Sequence, residues 1–507
     1  MRLFASLALG FSANFVPSVS AADVDLADLH LDIAPRSASE SARIAKVVAP
    51  TTDFTKAEPF EANQAGAATV RPMGNTDAFS QASGNISFDQ ELDFKIGNGL
   101  FRKLWVSSPS STLASDGLGP LYNARSCQRC HLKDGRGHPP EGAQDSAVSL
   151  LMRISIPEEQ AIAEIEGYLA SVPDPIYGTQ IQDFSIAGHP AEAQVAVNYR
   201  EEAITLSGGE QATLRQPSYG LSEPGYGAFH PELMMSPRIA PQMIGLGLLD
   251  AIPANDILAL TDPEDADGDG ISGRAQIVLS RAYGVPMLGR FGLKAGQPSI
   301  WEQSAAAFHG DIGISSSLFP QGAGECTHAQ VTCQHAPDGN TAIHDNAEIS
   351  DEALNLVSFY ASNLAVPARR NVDDETVLRG KQVFYETQCT ACHQPKFVTH
   401  RLEDQPEQSF QLIWPYTDML LHDMGAGLAD NRPEGRATGR EWRTPPLWGI
   451  GLTQQVSGHT YFLHDGRARS LLEAILWHGG EAQAQRDRVI DMPPEDRAAL
   501  IKFLESL

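Results

Sequence analysis

The clearest apolar period in the chain lies in ETVLRGKQVFYETQC, residues 375–389. Val377, Leu378, Val383 and Phe384 share one side of a helix, with polar residues opposite, so the spacing predicts an amphipathic helix running up to Cys389. The last fifteen residues, PPEDRAALIKFLESL, carry a second apolar stripe at Leu500, Ile501 and Leu504. A related stripe occurs earlier in DEALNLVSFYASNL, residues 351–364. Aligning Leu356-Val357-x-Phe359 with Leu500-Ile501-x-Phe503 predicts a duplicated unit in which each copy ends on such a helix. A shorter helix is predicted at RSLLEAILWHGGEA. There Ser470 and Glu473 have capping-box spacing, Gly479 and Gly480 stop the helix, and Leu471, Ile475 and His478 share a face.

The pattern changes between residues 150 and 220. SLLMRISIP, QVAVNYREEAITLSGG and QATLRQPSYG are short alternating or β-branched runs punctuated by Gly and Pro, and read as strands. Residues 23–85 are rich in Ala, Ser, Thr and Asn with little periodicity, and read as a loosely ordered arm. Residues 1–22 pair Arg2 with the apolar LFASLALGFSANFV and the small residues VSA, the pattern of an export signal. No later stretch has the length of a membrane span, so a periplasmic protein without a transmembrane segment is expected. The net charge of -26 argues against a nucleic-acid partner.

The chemistry lies in the cysteines, of which there are six. Four form two Cys-x-x-Cys-His units, Cys127/Cys130/His131 and Cys389/Cys392/His393. A zinc site would bring two pairs ~15–20 residues apart, and a thioredoxin-like pair would need a βαβ setting. Neither condition is met. Covalent haem c attachment uses every residue of the unit: two thiols add to the vinyl groups and the histidine reaches the iron. Two covalently bound haems c are therefore expected, each followed by a closing helix and the second preceded by an entry helix. The remaining pair, Cys326 and Cys333, lies in a polar loop and reads as a local disulfide. In DPEDADGDGISGR, Asp265, Asp267 and Asp269 alternate before Gly270 and suit Ca²⁺. The position where an EF-hand carries its glutamate is Gln276, so the loop is not an EF-hand, and an acidic turn without metal is the alternative.

Five segments carry a family resemblance: SDGLGPLYNARSCQRCHLKDGRG, SPRIAPQMIGLGLLDAIP, DADGDGISGR, PYTDMLLHDMGAGLAD and RTPPLWGIGLTQQVSGHTYFLHDGRARSLLEAILWHGGEA. With them the chain resembles the dihaem oxidoreductases, formerly labelled thiol oxidoreductases, of the bacterial dihaem cytochrome c peroxidase superfamily. The resemblance implies a mainly α fold of two cytochrome c-like haem domains, here residues 86–370 and 371–507. The β-rich insertion at about 150–220 would belong to the first. It implies a peroxidase-like oxidoreductase in which one haem relays electrons to another that meets hydrogen peroxide or a related oxidant. The alternatives are a pure electron-transfer cytochrome and a haem oxidase acting on a partner protein. A small redox protein is the expected donor or acceptor. By the same resemblance Ca²⁺ would lie between the haem domains, and Asp311 falls two residues from the catalytic glutamate of the peroxidases.

His230, His309 and His138 are candidate distal ligands of the first haem. The resemblance favours His230, which precedes a matching Ser-Pro. His478 matches the sixth ligand of the second haem, giving a His393/His478 pair, while His422 and His464 are expected to line its pocket. The peroxidases' bridging tryptophan has no counterpart in GLGLLDAIP. Trp301, Trp448 and Trp477 remain as substitutes.

Overall fold

The structure is a computed structural model and describes residues 26, 28–141, 145, 149–157 and 171–507. The expected export signal, 1–22, lies outside the described residues. Two helix pairs organise the chain. Phe88–Phe101 packs against Asp351–Ser362, and Glu375–Glu386 packs against the terminal helix Pro494–Ser506. Both crossings turn on a glycine. A side chain at Gly97 would strike the Leu356 carbonyl and the Tyr360 side chain; one at Gly380 would strike the Ala499 carbonyl and Phe503. The duplication is therefore physical, but the equivalent of Phe503 is Tyr360. The alignment on Phe359 is slipped by one residue.

Phe94, Phe101, Phe308, Val357 and Tyr360 form the core of the first pair, and Val383, Phe384, Tyr416, Leu500 and Phe503 that of the second. A third core, with Phe79, Ile244, Leu248, Phe291, Ile300, Met419 and Trp448, draws on both halves of the chain and joins them.

The expected mainly α class of two cytochrome c-like domains is not what the chain forms. Among the described residues helix makes up 30% and strand 18%, so the fold is of mixed class. The strands are spread over one three-stranded sheet and several two-stranded ones. The reason is length. The helix pairs frame each half, but the long stretches between motif and closing helix fold as loops pinned by short β-pairings, and amphipathic periodicity does not report these.

The strands expected between 150 and 220 do form, and their sheet extends further along the chain: Leu150–Ser155 pairs with both Gln180–Ile181 and Met234–Ile239. Gln194–Thr205 and Gln211–Ser222 make a hairpin of two twelve-residue strands. It is not a free-standing lobe. Its Leu206 and Leu214 are buried with Leu428, Phe462, Leu476 and Trp477 of the second half. Arg215 donates to the carbonyls of Gly466 and Arg467.

The segment expected to be a loose arm is also ordered in its described part. Ser37 and Glu40 close a capping box on the helix Ala38–Val48. Buried Asp28 accepts from Arg290 (2.5 Å), His400 (2.7 Å) and the Ala254 N–H (2.9 Å). Buried Glu61 pairs with Arg369 and Lys381. Ion pairs hold the start of this segment, and Phe79 with small alanines packs into the joining core, so no local periodicity signalled its order.

Candidate active site

The two Cys-x-x-Cys-His units fold alike. Cys127–Cys130 is a single helical turn and Cys389–Ala391 a 3₁₀ turn. In each, the histidine N–H closes on the first cysteine's carbonyl at 3.0 Å. His131 Nδ1 donates to the Pro241 carbonyl (2.8 Å) and His393 Nδ1 to the Tyr416 carbonyl (2.9 Å). This bond fixes the tautomer and leaves Nε2 with its lone pair for a metal. Burial pushes both imidazoles down to about 4, so they stay neutral. None of these four cysteines is in a disulfide. Burial, with Asp311 second, pushes Cys127 up to about 12; burial pushes Cys389 up to about 11. These are not thiolates poised for zinc or exchange chemistry.

Both units line one continuous cavity of about 560 Å³. The first end carries Cys127, Cys130, His131 and Asp311; the second carries Cys389, Cys392, His393 and His478. Thiol pairs outside any disulfide, neutral imidazoles with an open nitrogen, and a largely apolar wall fit two haem groups, one at each end.

Asp311 sits in a π-helical turn, Phe308–Ile312, a distortion that re-aims side chains. Its carbonyl accepts the N–H groups of Asn123 and Ala124 just ahead of the first motif. Its carboxylate accepts from Gln180 Nε2 at 3.0 Å. Burial raises its pKa, while Arg153 and the Gln180 bond oppose the rise.

The other first-haem candidates fall elsewhere. His230 lies on a loop, its Nδ1 accepting from the Glu232 N–H, and does not line the cavity. His309 stacks on Phe319 at 4.7 Å, and His138 packs edge-on against His459; neither reaches the cavity wall.

At the second end, Ser470 Oγ caps the helix Leu471–Leu476. The capping box is only half made, because Glu473 turns to the N–H groups of Arg215 (2.6 Å) and Arg469 (2.8 Å). His478 Nδ1 donates to the Ala474 carbonyl at 2.8 Å, which again leaves Nε2 open. His478 lies near enough to help depress His393, after burial and against the Tyr416 bond.

His422 differs: Nε2 is 2.8 Å from Asp418 and Nδ1 2.7 Å from Glu481. Burial opposes its charge, but Asp418 and its other partners raise its pKa well above the ordinary value. Both nitrogens are committed, so His422 lines the cavity without offering a lone pair. His464 also lines it, stacked on Trp442 with centroids 3.8 Å apart.

Trp442 lines the cavity, whereas Trp301, Trp448 and Trp477 do not. Trp301 bonds to Asn355, Trp448 is core, and Trp477 packs under the hairpin. Gln180 and Arg153 were missed, since single polar residues in strands carry no spacing signal. Cys326 and Cys333 are joined as a disulfide.

In the acidic loop the carboxylates that converge are those of Asp262, Asp265 and Asp267, all within 4.8 Å of one another. Asp269 instead accepts the Ile271 N–H at 2.9 Å. Gln276 is buried and donates to the carbonyls of Lys294 and Glu434, away from the loop.

Two histidine-bearing haem motifs facing one cavity define a di-haem protein. The chain belongs to the family described as "Di-haem oxidoreductase, putative peroxidase", whose model matches residues 60–507. Among curated proteins no match is found. One solved structure is similar over part of its length, *Kuenenia stuttgartiensis* hydrazine synthase pressurized with 20 bar xenon. It shares 14% identity, covering 40% of this chain and 70% of that one, with a TM-score of 0.23. At that score the likeness carries no argument. No helix among the described residues is long and apolar enough to cross a membrane.

Proposed function

We propose that the chain is an exported, periplasmic c-type dihaem oxidoreductase that reduces hydrogen peroxide or a related small oxidant. Electrons would come from a small redox protein. The observation that carries this reading is the single cavity lined at both ends by a Cys-x-x-Cys-His unit. Cys127 and Cys130 hold the first haem with His131 as proximal ligand; Cys389 and Cys392 hold the second with His393 and His478. The haems supply electron storage and, at an open coordination position, reductive cleavage of an O–O bond.

The remaining work falls to the protein. Reducing peroxide to water consumes two protons with two electrons, so a proton donor must stand inside the cavity. Asp311 fills that role at the first end. Burial favours its protonated form and Gln180 fixes its orientation. His478 would hold the second haem together with His393, which would leave substrate chemistry to the first end. Ca²⁺ would bind at Asp262, Asp265 and Asp267, on the segment that leads through Ser272 to Glu481 and His422.

The test is direct. Acidified organic solvent should leave two haems on the denatured polypeptide. Hydrogen peroxide should reoxidise the reduced protein faster than it does a monohaem cytochrome c. Colour that extracts freely refutes covalent attachment, and equal rates would make the chain an electron-transfer cytochrome.

A further inference from the structure

We infer that Arg136 and Arg443 are carboxylate anchors, binding the propionates of the first and second haem respectively. The inference rests on the di-haem reading and adds to it two binding residues outside the attachment motifs.

Several arginines face the cavity, and most have an acidic partner. Arg238 and Arg432 share Glu434, Arg290 pairs with Asp28, and Arg486 with Asp487. Arg153 faces Asp311. Arg136 and Arg443 have none. Arg136 Nε donates to the Tyr461 carbonyl (3.2 Å) and Nη2 to that of Leu463 (2.8 Å). Arg443 Nε donates to the Gly292 carbonyl (3.1 Å) and Nη1 to that of Thr444 (3.0 Å).

In both, neutral carbonyls fix the plane of the guanidinium and one terminal nitrogen is left over, Nη1 of Arg136 and Nη2 of Arg443. Among the described residues neither arginine pairs with a carboxylate. Asp418 acts on Arg443 at longer range, but its side chain is bonded to His422.

A guanidinium held inside a protein by carbonyls alone is an uncompensated charge, and such charges are strongly destabilising. Burial lowers both to about 10, so both stay cationic at neutral pH. A planar fork with a free edge on an apolar cavity is shaped for a carboxylate. Haem carries its propionates on the edge opposite the vinyl groups that take the thiols, and the cavity must receive them somewhere. Position assigns the pairs. Arg136 follows His131 on the same loop. Arg443 adjoins Asp418, whose N–H bonds to the Cys392 carbonyl at 3.0 Å.

The experiment is a haem-resolved spectroelectrochemical titration of the holoprotein and of Arg136→Gln, Arg136→Lys, Arg443→Gln and Arg443→Lys. Reduction adds negative charge, so losing a neighbouring cation lowers the potential. Arg136→Gln should lower the first haem's midpoint and leave the second unchanged; Arg443→Gln should do the reverse. The lysine variants should recover part of each shift. Should a glutamine variant fail to accumulate, the propionate-bending band in the resonance Raman spectrum of its lysine counterpart decides, because exchanging the fork for an ammonium must move it. An unchanged midpoint or band, or a shift in the wrong haem, overturns the assignment while the wild-type haem content stays intact. A wild-type protein without covalent haem would instead overturn the di-haem reading itself.

Discussion

Gln180 Nε2 donates to the carboxylate of Asp311 at 3.0 Å, on the wall of the cavity that also receives Cys127 and His131. The two residues are far apart in sequence and belong to different kinds of structure, a short strand and a π-turn. The bond holds the carboxyl in one orientation while burial raises its pKa. The protonated form therefore persists to higher pH than in a free aspartate, and a rate that needs this proton falls as pH rises through the shifted value. Asp311→Asn keeps the size and removes the proton. It should slow peroxide-driven reoxidation by about 100-fold and abolish that acid limb, with both haems retained. A rate unchanged in the variant would remove Asp311 from the chemistry.

His478 presents an open Nε2 to the same cavity space as His393. Bis-histidine ligation predicts a low-spin second haem of lower potential than a His/Met pair. His478→Met should raise that potential and leave the first haem alone, and His478→Ala should convert the second haem to high spin. A low-spin spectrum surviving in the alanine variant would mean another side chain binds the iron. His422 could replace it only by giving up one of its two carboxylate partners.

Gly380 and Gly97 are the close-contact points of the two helix pairs. Isolated helix propensity says Gly→Ala should stabilise by about 1 kcal/mol. Packing says otherwise, because the new methyl meets the backbone carbonyl of Ala499 or Leu356, which cannot rotate away. Overpacking of this kind costs about 1–3 kcal/mol. Gly380→Ala should lower the denaturant midpoint, whereas Gly99→Ala, on the open side of its helix, should not. A stabilised Gly380→Ala would show that the crossing can relax.

The same glycines show how far the sequence could be read. Apolar stripes located three of the four framing helices, all but Phe88–Phe101, and the paired motifs located the cofactor ends, since both signals are local. The register between the copies slipped because Phe359 and Tyr360 are both aromatic, and only the contact with Gly97 selects Tyr360. The arm around Asp28 was unreadable for a related reason. Its order comes from Arg290 and His400, partners that no local window includes. Asp262 was passed over because alternation favoured Asp269, whereas the backbone turn directs Asp269 to its own Ile271 N–H.

That turn changes the expected metal ligands. If Ca²⁺ binds the loop, Asp262→Asn and Asp267→Asn should each weaken it more than Asp269→Asn, read by calorimetric titration of chelator-treated protein. Equal losses at all three positions would return the assignment to Asp265, Asp267 and Asp269. No binding to the wild type would leave the loop an acidic turn.

Glu192 provides a pH test of the fold itself. Its carboxylate accepts from the Gln182 N–H (2.7 Å) and from Gln330 (2.6 Å), tying the strand region to the disulfide loop. Burial outweighs both bonds and pushes its pKa up to about 8, from 4.5. Between those two values the folded state binds a proton that the unfolded state has released, so stability falls as pH rises through this window and levels off above it. Buried Glu348, pushed up to about 7, acts in the same direction. The melting temperature should therefore decline from about pH 5 to pH 8. Glu192→Gln keeps one oxygen to accept the Gln182 N–H, turns a donor NH2 toward Gln330, and has no charge to bury. It should flatten the decline and melt higher than wild type at pH 8.5, with little difference at pH 5. A variant that melts lower at both pH values would mean that the carboxylate's exact hydrogen bonds outweigh the cost of ionising it inside the protein.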